Sequence, residues 1–119
     1  MAHLRDHIDL LRLRASRDPD AFARIYDRYV DAIYRFVSFK LPSKEDAQDV
    51  TADVFMKAWD HIRQDKPVEN VRAFLYRIAN NLIIDVARRA KLAEALKGAK
   101  SELAEKVGKL VKAKLVDAD

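Results

Sequence analysis

Apolar residues recur along this chain at steps of three and four, and no segment alternates with the period of two that a half-buried strand requires. The pattern predicts an all-α protein without a sheet. A first helix is expected from about Leu4 to Ser16, with Leu4, Ile8 and Leu11 on one face. Asp18 followed by Pro19 reads as an N-cap and a proline-bearing first turn. The second helix carries Phe22, Ile25, Tyr29, Ile33, Phe36 and Val37 at core spacing until Pro42 ends it. Ser43 is expected to cap a third helix, with Glu45 and Asp46 in its first turn, where carboxylates complement the helix dipole. That helix fades near Arg63, "QDKPVE" is a loop, and Asn70 caps a fourth helix. Its apolar face is Val71, Phe74, Leu75, Ile78, Leu82 and Val86.

After Lys91 the wording changes. Every arginine and every aromatic residue lies before that point, and both glycines, Gly98 and Gly108, lie after it. Leu92, Leu96, Leu103, Val107, Leu110 and Val111 keep a helical period. A fifth amphipathic helix is expected, broken near one of the glycines, each of which costs about 1 kcal/mol against alanine. Its alanine, lysine, glutamate and leucine usage resembles an engineered or idealised helix. The expected architecture is a compact bundle of four to five helices, with a helical domain over 1–91 and the amphipathic helix over 92–119.

Composition narrows the function. At 119 residues the chain is one domain, and with 50% apolar and 35% charged residues it is not disordered. The absence of cysteine excludes disulfides and thiolate metal sites and suits a cytoplasmic setting. No apolar run approaches the roughly 20 residues of a membrane span, so no membrane partner is expected. The N-terminus is too charged for a signal peptide. The net charge of +4 allows an anionic partner.

Charge then segregates. In the third helix Lys44 and Lys57 stand against Glu45, Asp46, Asp49, Asp53 and Asp60. At about 100° per residue, Asp46, Asp49, Asp53 and Asp60 share an arc of about 60° opposite Val50, Val54, Phe55, Ala58, Trp59 and Ile62. This stripe is either an ordinary solvated face or a docking surface whose mutual repulsion a basic partner would relieve. The fourth helix is basic: Arg72, Arg77, Arg88, Arg89 and Lys91 stand against Asp85. Arg77, Asn80, Asn81, Ile84 and Arg88 occupy the arc away from its apolar face, and arginine and asparagine bind phosphate and read base edges. A charged helix surface is the competing reading. Phe74 and Tyr76 lie nearby as stacking platforms, although the spacing of Phe74 favours the core.

Three phrases carry a resemblance: "DPDAFARIYDRYVDAIYRFV", "DAQDVTADVFMKAWDHI" and "RAFLYRIANNLIIDVARR". In order and spacing they resemble region 2 of the bacterial sigma-70 family, in particular the extracytoplasmic-function (ECF) group. The resemblance implies that the third helix docks on the β′ coiled coil of core RNA polymerase through the acidic positions, with Asp49 and Asp53 central. Ala52 stands where the family commonly has glutamine, which implies weaker docking. The resemblance also implies that the segment His61, Ile62, Arg63, Lys66 to Val71 captures a flipped base of the non-template −10 strand. Ile62 stands where the family often has an aromatic residue. Arg72, Arg77, Asn80, Asn81, Arg88, Arg89 and Lys91 would hold single-stranded promoter DNA. An anti-sigma factor is a further implied partner. No helix-turn-helix for a −35 element follows Lys91, which is expected of an isolated region 2 or a shortened form.

No cofactor is implied, and no serine-histidine arrangement or glycine-rich phosphate loop points to an enzyme. His3 and His7 have i, i+4 metal spacing without an HExxH pattern and are expected to be surface residues. The rival reading is a sigma-like scaffold, monomeric or homodimeric through its C-terminal helix, since such a helix must bury its apolar stripe.

Overall fold

The computed structural model describes the backbone of residues 2–16 and 18–117 and the side chains of residues 4–15 and 18–115. Its helices are α1, Ala2–Ser16; α2, Pro19–Lys40; α3, Lys44–Arg63; and α4, Val71–Asp117. There is no strand among the described residues, and the protein is all-α. The three expected caps are present. Asp18 Oδ1 accepts from the Asp20 amide at 3.0 Å, Ser43 Oγ from the Asp46 amide at 3.2 Å, and Asn70 Oδ1 from the Ala73 amide at 3.0 Å. Each satisfies an amide that the first helical turn would otherwise leave unpaired.

The chain divides into two compact units, Met1–Ile84 and Asp85–Asp119. In the first, α2 buries a row of residues four apart, Ala21, Ile25, Tyr29, Ile33 and Val37. A four-residue row is the ridge that seats in a neighbouring helix's groove. Helix α3 buries Ala47, Val50, Thr51, Val54, Phe55, Ala58 and Ile62. From the start of α4 come Val71, Leu75, Ala79 and Ile83. Edge-to-face ring pairs flank this core: Phe22 with Trp59 at 5.1 Å, Tyr26 with Phe55 at 4.9 Å, and Phe36 with Tyr76 at 5.1 Å.

Helix α1 turns a different face inward from the one its apolar spacing predicts. Leu4, Ile8 and Leu11 are exposed, whereas Asp6 and Asp9 are buried beside Leu10 and Leu13. The reason lies on α2. Arg28 bridges the two carboxylates, bonding Asp6 through Nη1 and Asp9 through Nη2, the latter at 2.9 Å. Arg24 Nε donates to Asp9 Oδ1 at 2.9 Å, and the Tyr29 hydroxyl donates to Asp6. Buried charges survive when paired and hydrogen-bonded, and here Arg24, Arg28 and Tyr29 do that work. Burial alone would raise the Asp9 carboxyl, but the hydrogen bonds and charges of Arg24 and Arg28 outweigh it and hold Asp9 below its ordinary value. Burial would likewise depress Arg28, yet its bonds to Asp9 and Asp6 carry it upward. Burial and the Asp6 bond push the Tyr29 hydroxyl up to about 12.

The expected fifth helix does not exist as a separate element. Helix α4 runs unbroken from Val71 to Asp117, through both glycines. A Cβ built on Gly98 or Gly108 would meet nothing within 4 Å. Neither glycine marks a turn or a close approach, and alanine, leucine, lysine and glutamate on both sides propagate the helix. The last buried residue among the described ones is Ile83, and the first unit ends at Ile84, ahead of the composition change at Lys91. From Leu92 to Leu115 every side chain is exposed. No helix among the described residues is long and apolar enough to cross a membrane.

Candidate functional surfaces

Burial of one arc of α3 leaves the opposite arc free. Asp46, Asp49, Asp53 and Asp60 are all exposed. Asp60 binds Arg63 at 3.0 Å, while Asp49 and Asp53 have no ion pair among the described residues. Met56 falls on the same arc and is 66% exposed. The aspartate spacing would have identified it, because residues 49, 53, 56 and 60 lie at steps of four, three and four. The stripe is therefore an anionic strip with one large apolar side chain inside it.

The second surface is a cleft of about 780 Å³ at the junction of α3, the 64–70 loop and α4, wholly within the first unit. Helix α3 ends in a Schellman turn. The Lys66 amide reaches the His61 carbonyl at 3.4 Å and the Asp65 amide reaches Ile62 at 3.0 Å, with Asp65 at φ 57°. That turn swings the chain back over the helix end. It is then held from two sides. Arg14 of α1 donates to the Lys66 carbonyl at 2.9 Å, and His61 Nε2 meets the Pro67 carbonyl at 3.1 Å. The His61 ring lies 4.5 Å from that of Phe74 on α4. The buried Asp6 and Asp9 network thus has a remote consequence, since it seats the helix that carries Arg14.

The cleft brings together residues distant in sequence. His61, Lys66, Arg77 and Asn81 all line it, with Phe74 and Ile78 as apolar floor. Its charged lining comprises Lys57, Lys66 and Arg77 against Asp60 and Glu69. Gln64, Glu69 and Asn70 lie within the loop that the resemblance marked without being named as site residues, and Lys57 lies outside it. Cations, exposed amides and an aromatic edge thus share one cleft.

Other expected residues lie elsewhere. Ile62 and Val71 are in the core, packed inward as the last and first apolar residues of their helices, and present no side chain to a base. Arg63 is tied to Asp60. Arg72 lies over the Tyr76 ring at 5.5 Å, beside the cleft. Asn80 is exposed outside it. Arg88, Arg89 and Lys91 are exposed and belong to the second unit. No group of side chains among the described residues is arranged to hold a metal ion. The side chain of His3 lies outside the described residues.

Comparison with known proteins identifies the family. The family model for Sigma-70 region 2 matches residues 25–93. The ECF RNA polymerase sigma factor BldN of Streptomyces coelicolor is 32% identical over 79 residues, covering 66% of this chain and 30% of that protein. SigW of Bacillus subtilis, another ECF sigma factor, is 38% identical over 74 residues, 62% of this chain and 40% of its own. SigK of a Mycobacterium species is 31% identical over 85 residues, 71% and 44% respectively. The chain spans less than half the length of these relatives. No solved structure matches.

Proposed function

Because this chain belongs to the sigma-70 family through its region 2, which covers more than half of it, we propose that it acts as the region 2 module of an ECF-type sigma factor. In this reading the exposed strip of Asp46, Asp49, Met56, Asp53 and Asp60 docks on a basic surface of core RNA polymerase. The α3–α4 cleft receives a base of the melted −10 strand. The observation that carries the reading is the cleft itself, which gathers His61, Lys66, Arg77 and Asn81 around Phe74.

The division of labour follows from chemistry. The carboxylates of Asp49 and Asp53, without an ion pair among the described residues, attract cations of a protein surface and repel nucleic acid. Lys57, Lys66 and Arg77 neutralise phosphates, while the Asn81 amide offers a donor and an acceptor to a base edge. Arg72 in the first unit, and Arg88, Arg89 and Lys91 in the second, are further exposed cations available to phosphates. Nothing in this work requires covalent chemistry.

The test is a pair of titrations with the full chain. Asp49→Arg with Asp53→Arg should abolish binding to core polymerase while leaving binding of a −10 oligonucleotide intact. Arg77→Ala with Asn81→Ala should weaken the oligonucleotide and flatten its salt dependence while sparing polymerase. If a folded parent chain binds neither, the reading fails. The chain would then be better described as a helical scaffold, for which the uncovered apolar face of residues 92–115 is the supporting observation.

A further inference from the structure

The second unit poses a question that promoter recognition does not answer. Seven of its large apolar side chains stand in solvent. At about 100° per residue, Leu92, Leu96, Leu103, Val107 and Leu110 share an arc of about 60°, with Val111 and Leu115 extending one edge. Charge is sorted around them. An arc of about 200° centred on this stripe holds Lys97, Lys100, Lys106 and Lys114 and no acid from Leu92 to Leu115. Glu94, Glu102 and Glu105 all fall on the remaining side, where Glu105 also pairs with Lys109 at 3.7 Å.

We propose that residues 92–115 are a docking surface for an anionic lipid bilayer. The helix lies in the headgroup plane, with its leucines in the acyl boundary and its glutamates toward water. The placement of lysine decides among occupants. Lys100 and Lys114 stand within the apolar stripe, not beyond it. A second copy of this chain would set these lysines against one another in the seam. A protein groove would have to bury them. In a bilayer interface their aliphatic stems lie along the apolar face and their ammonium groups rise to lipid phosphates. The expectation of no membrane partner rested on the lack of a spanning segment, and no helix among the described residues is long and apolar enough to cross a membrane. A helix lying on the surface needs none. The proposal does not depend on the promoter reading.

The experiment is co-sedimentation of the full chain with vesicles of phosphatidylglycerol and phosphatidylcholine, beside vesicles of phosphatidylcholine alone. Binding is expected only to the anionic vesicles and is expected to weaken with salt. Leu103→Ser with Leu110→Ser should reduce it by at least roughly tenfold, and Lys100→Glu, Lys106→Glu and Lys114→Glu together by on the order of a hundredfold. These side chains are exposed, so circular dichroism should find the first unit folded in every variant. Failure of the parent to bind anionic vesicles overturns the proposal. So does loss of binding in Arg77→Ala with Arg88→Ala while the leucine variant still binds, which would assign the vesicle to the DNA-binding cations. A Leu103-dependent dimer in sedimentation velocity would assign the face to a second copy and equally overturn it.

Discussion

Helix α2 and residues 92–115 carry apolar stripes of similar regularity and opposite fate. Along α2, Ala21, Ile25, Tyr29, Ile33 and Val37 are buried in turn. Along the second unit, Leu92, Leu96, Leu103 and Leu110 are each more than half exposed. The contrast teaches that periodicity states which residues share a face, not whether anything covers it. Helix α1 makes the point from the other side. Its apolar stripe is exposed because its neighbour offers Arg24, Arg28 and Tyr29, and the carboxylates that match them go inward.

The largest effect should come from truncating the covered stripe. Ile33→Ala is expected to cost about 2–5 kcal/mol in chemical denaturation. Leu103→Ala should cost less than about 0.5 kcal/mol, as an exposed site does. Similar losses at both positions would break the contrast.

Next in size is the ionic seat of α1. Arg28→Ala leaves two buried carboxylates without their bridge and should cost about 3 kcal/mol. The pH dependence follows the same groups. Asp9 is depressed in the fold, so its contribution is present above the ordinary carboxylate value near 3.8 and is lost as pH falls below it. Tyr29 is raised to about 12, so its contribution is present below the ordinary 10.0 and is lost as pH climbs from there to about 12. Thermal melts across both windows should show the two losses, and Arg28→Ala should shrink the acid one.

A smaller effect is expected at the turn that shapes the cleft. Asp65 holds a left-handed backbone, which a β-branched residue resists, so Asp65→Val should cost about 1–2 kcal/mol. Asp65→Gly should not. Smallest of all, Gly98→Ala and Gly108→Ala should each strengthen α4 locally by up to about 1 kcal/mol, visible in amide exchange of the second unit and absent from the denaturation midpoint of the first.

How much of this was legible beforehand depended on distance along the chain. The caps at Asp18, Ser43 and Asn70 were readable because each partner lies within three residues. The acidic face of α3 was readable because one uninterrupted helix sets its angles. The family resemblance located the α3–α4 segment, yet it also placed Ile62 and Val71 in the base-capture loop, although their spacing had set both on apolar helix faces, and their burial follows the spacing. The part of Lys57 in the cleft lining was not legible, since the cleft exists only once the chain has turned at Asp65 and Arg14 has reached Lys66 from fifty-two residues away.

By itself, then, the amino-acid order determined where helices begin, which side chains share a face, and that a narrow acidic strip would precede a basic helix. These are consequences of backbone geometry within a few turns. Only the tertiary structure decided which face of each helix is covered, that Asp6 and Asp9 belong inside, that α4 needs no break, and that one cleft unites His61 with Asn81. Those outcomes depend on what a neighbouring helix offers, because burial and ion pairing are relations between segments that local order does not contain.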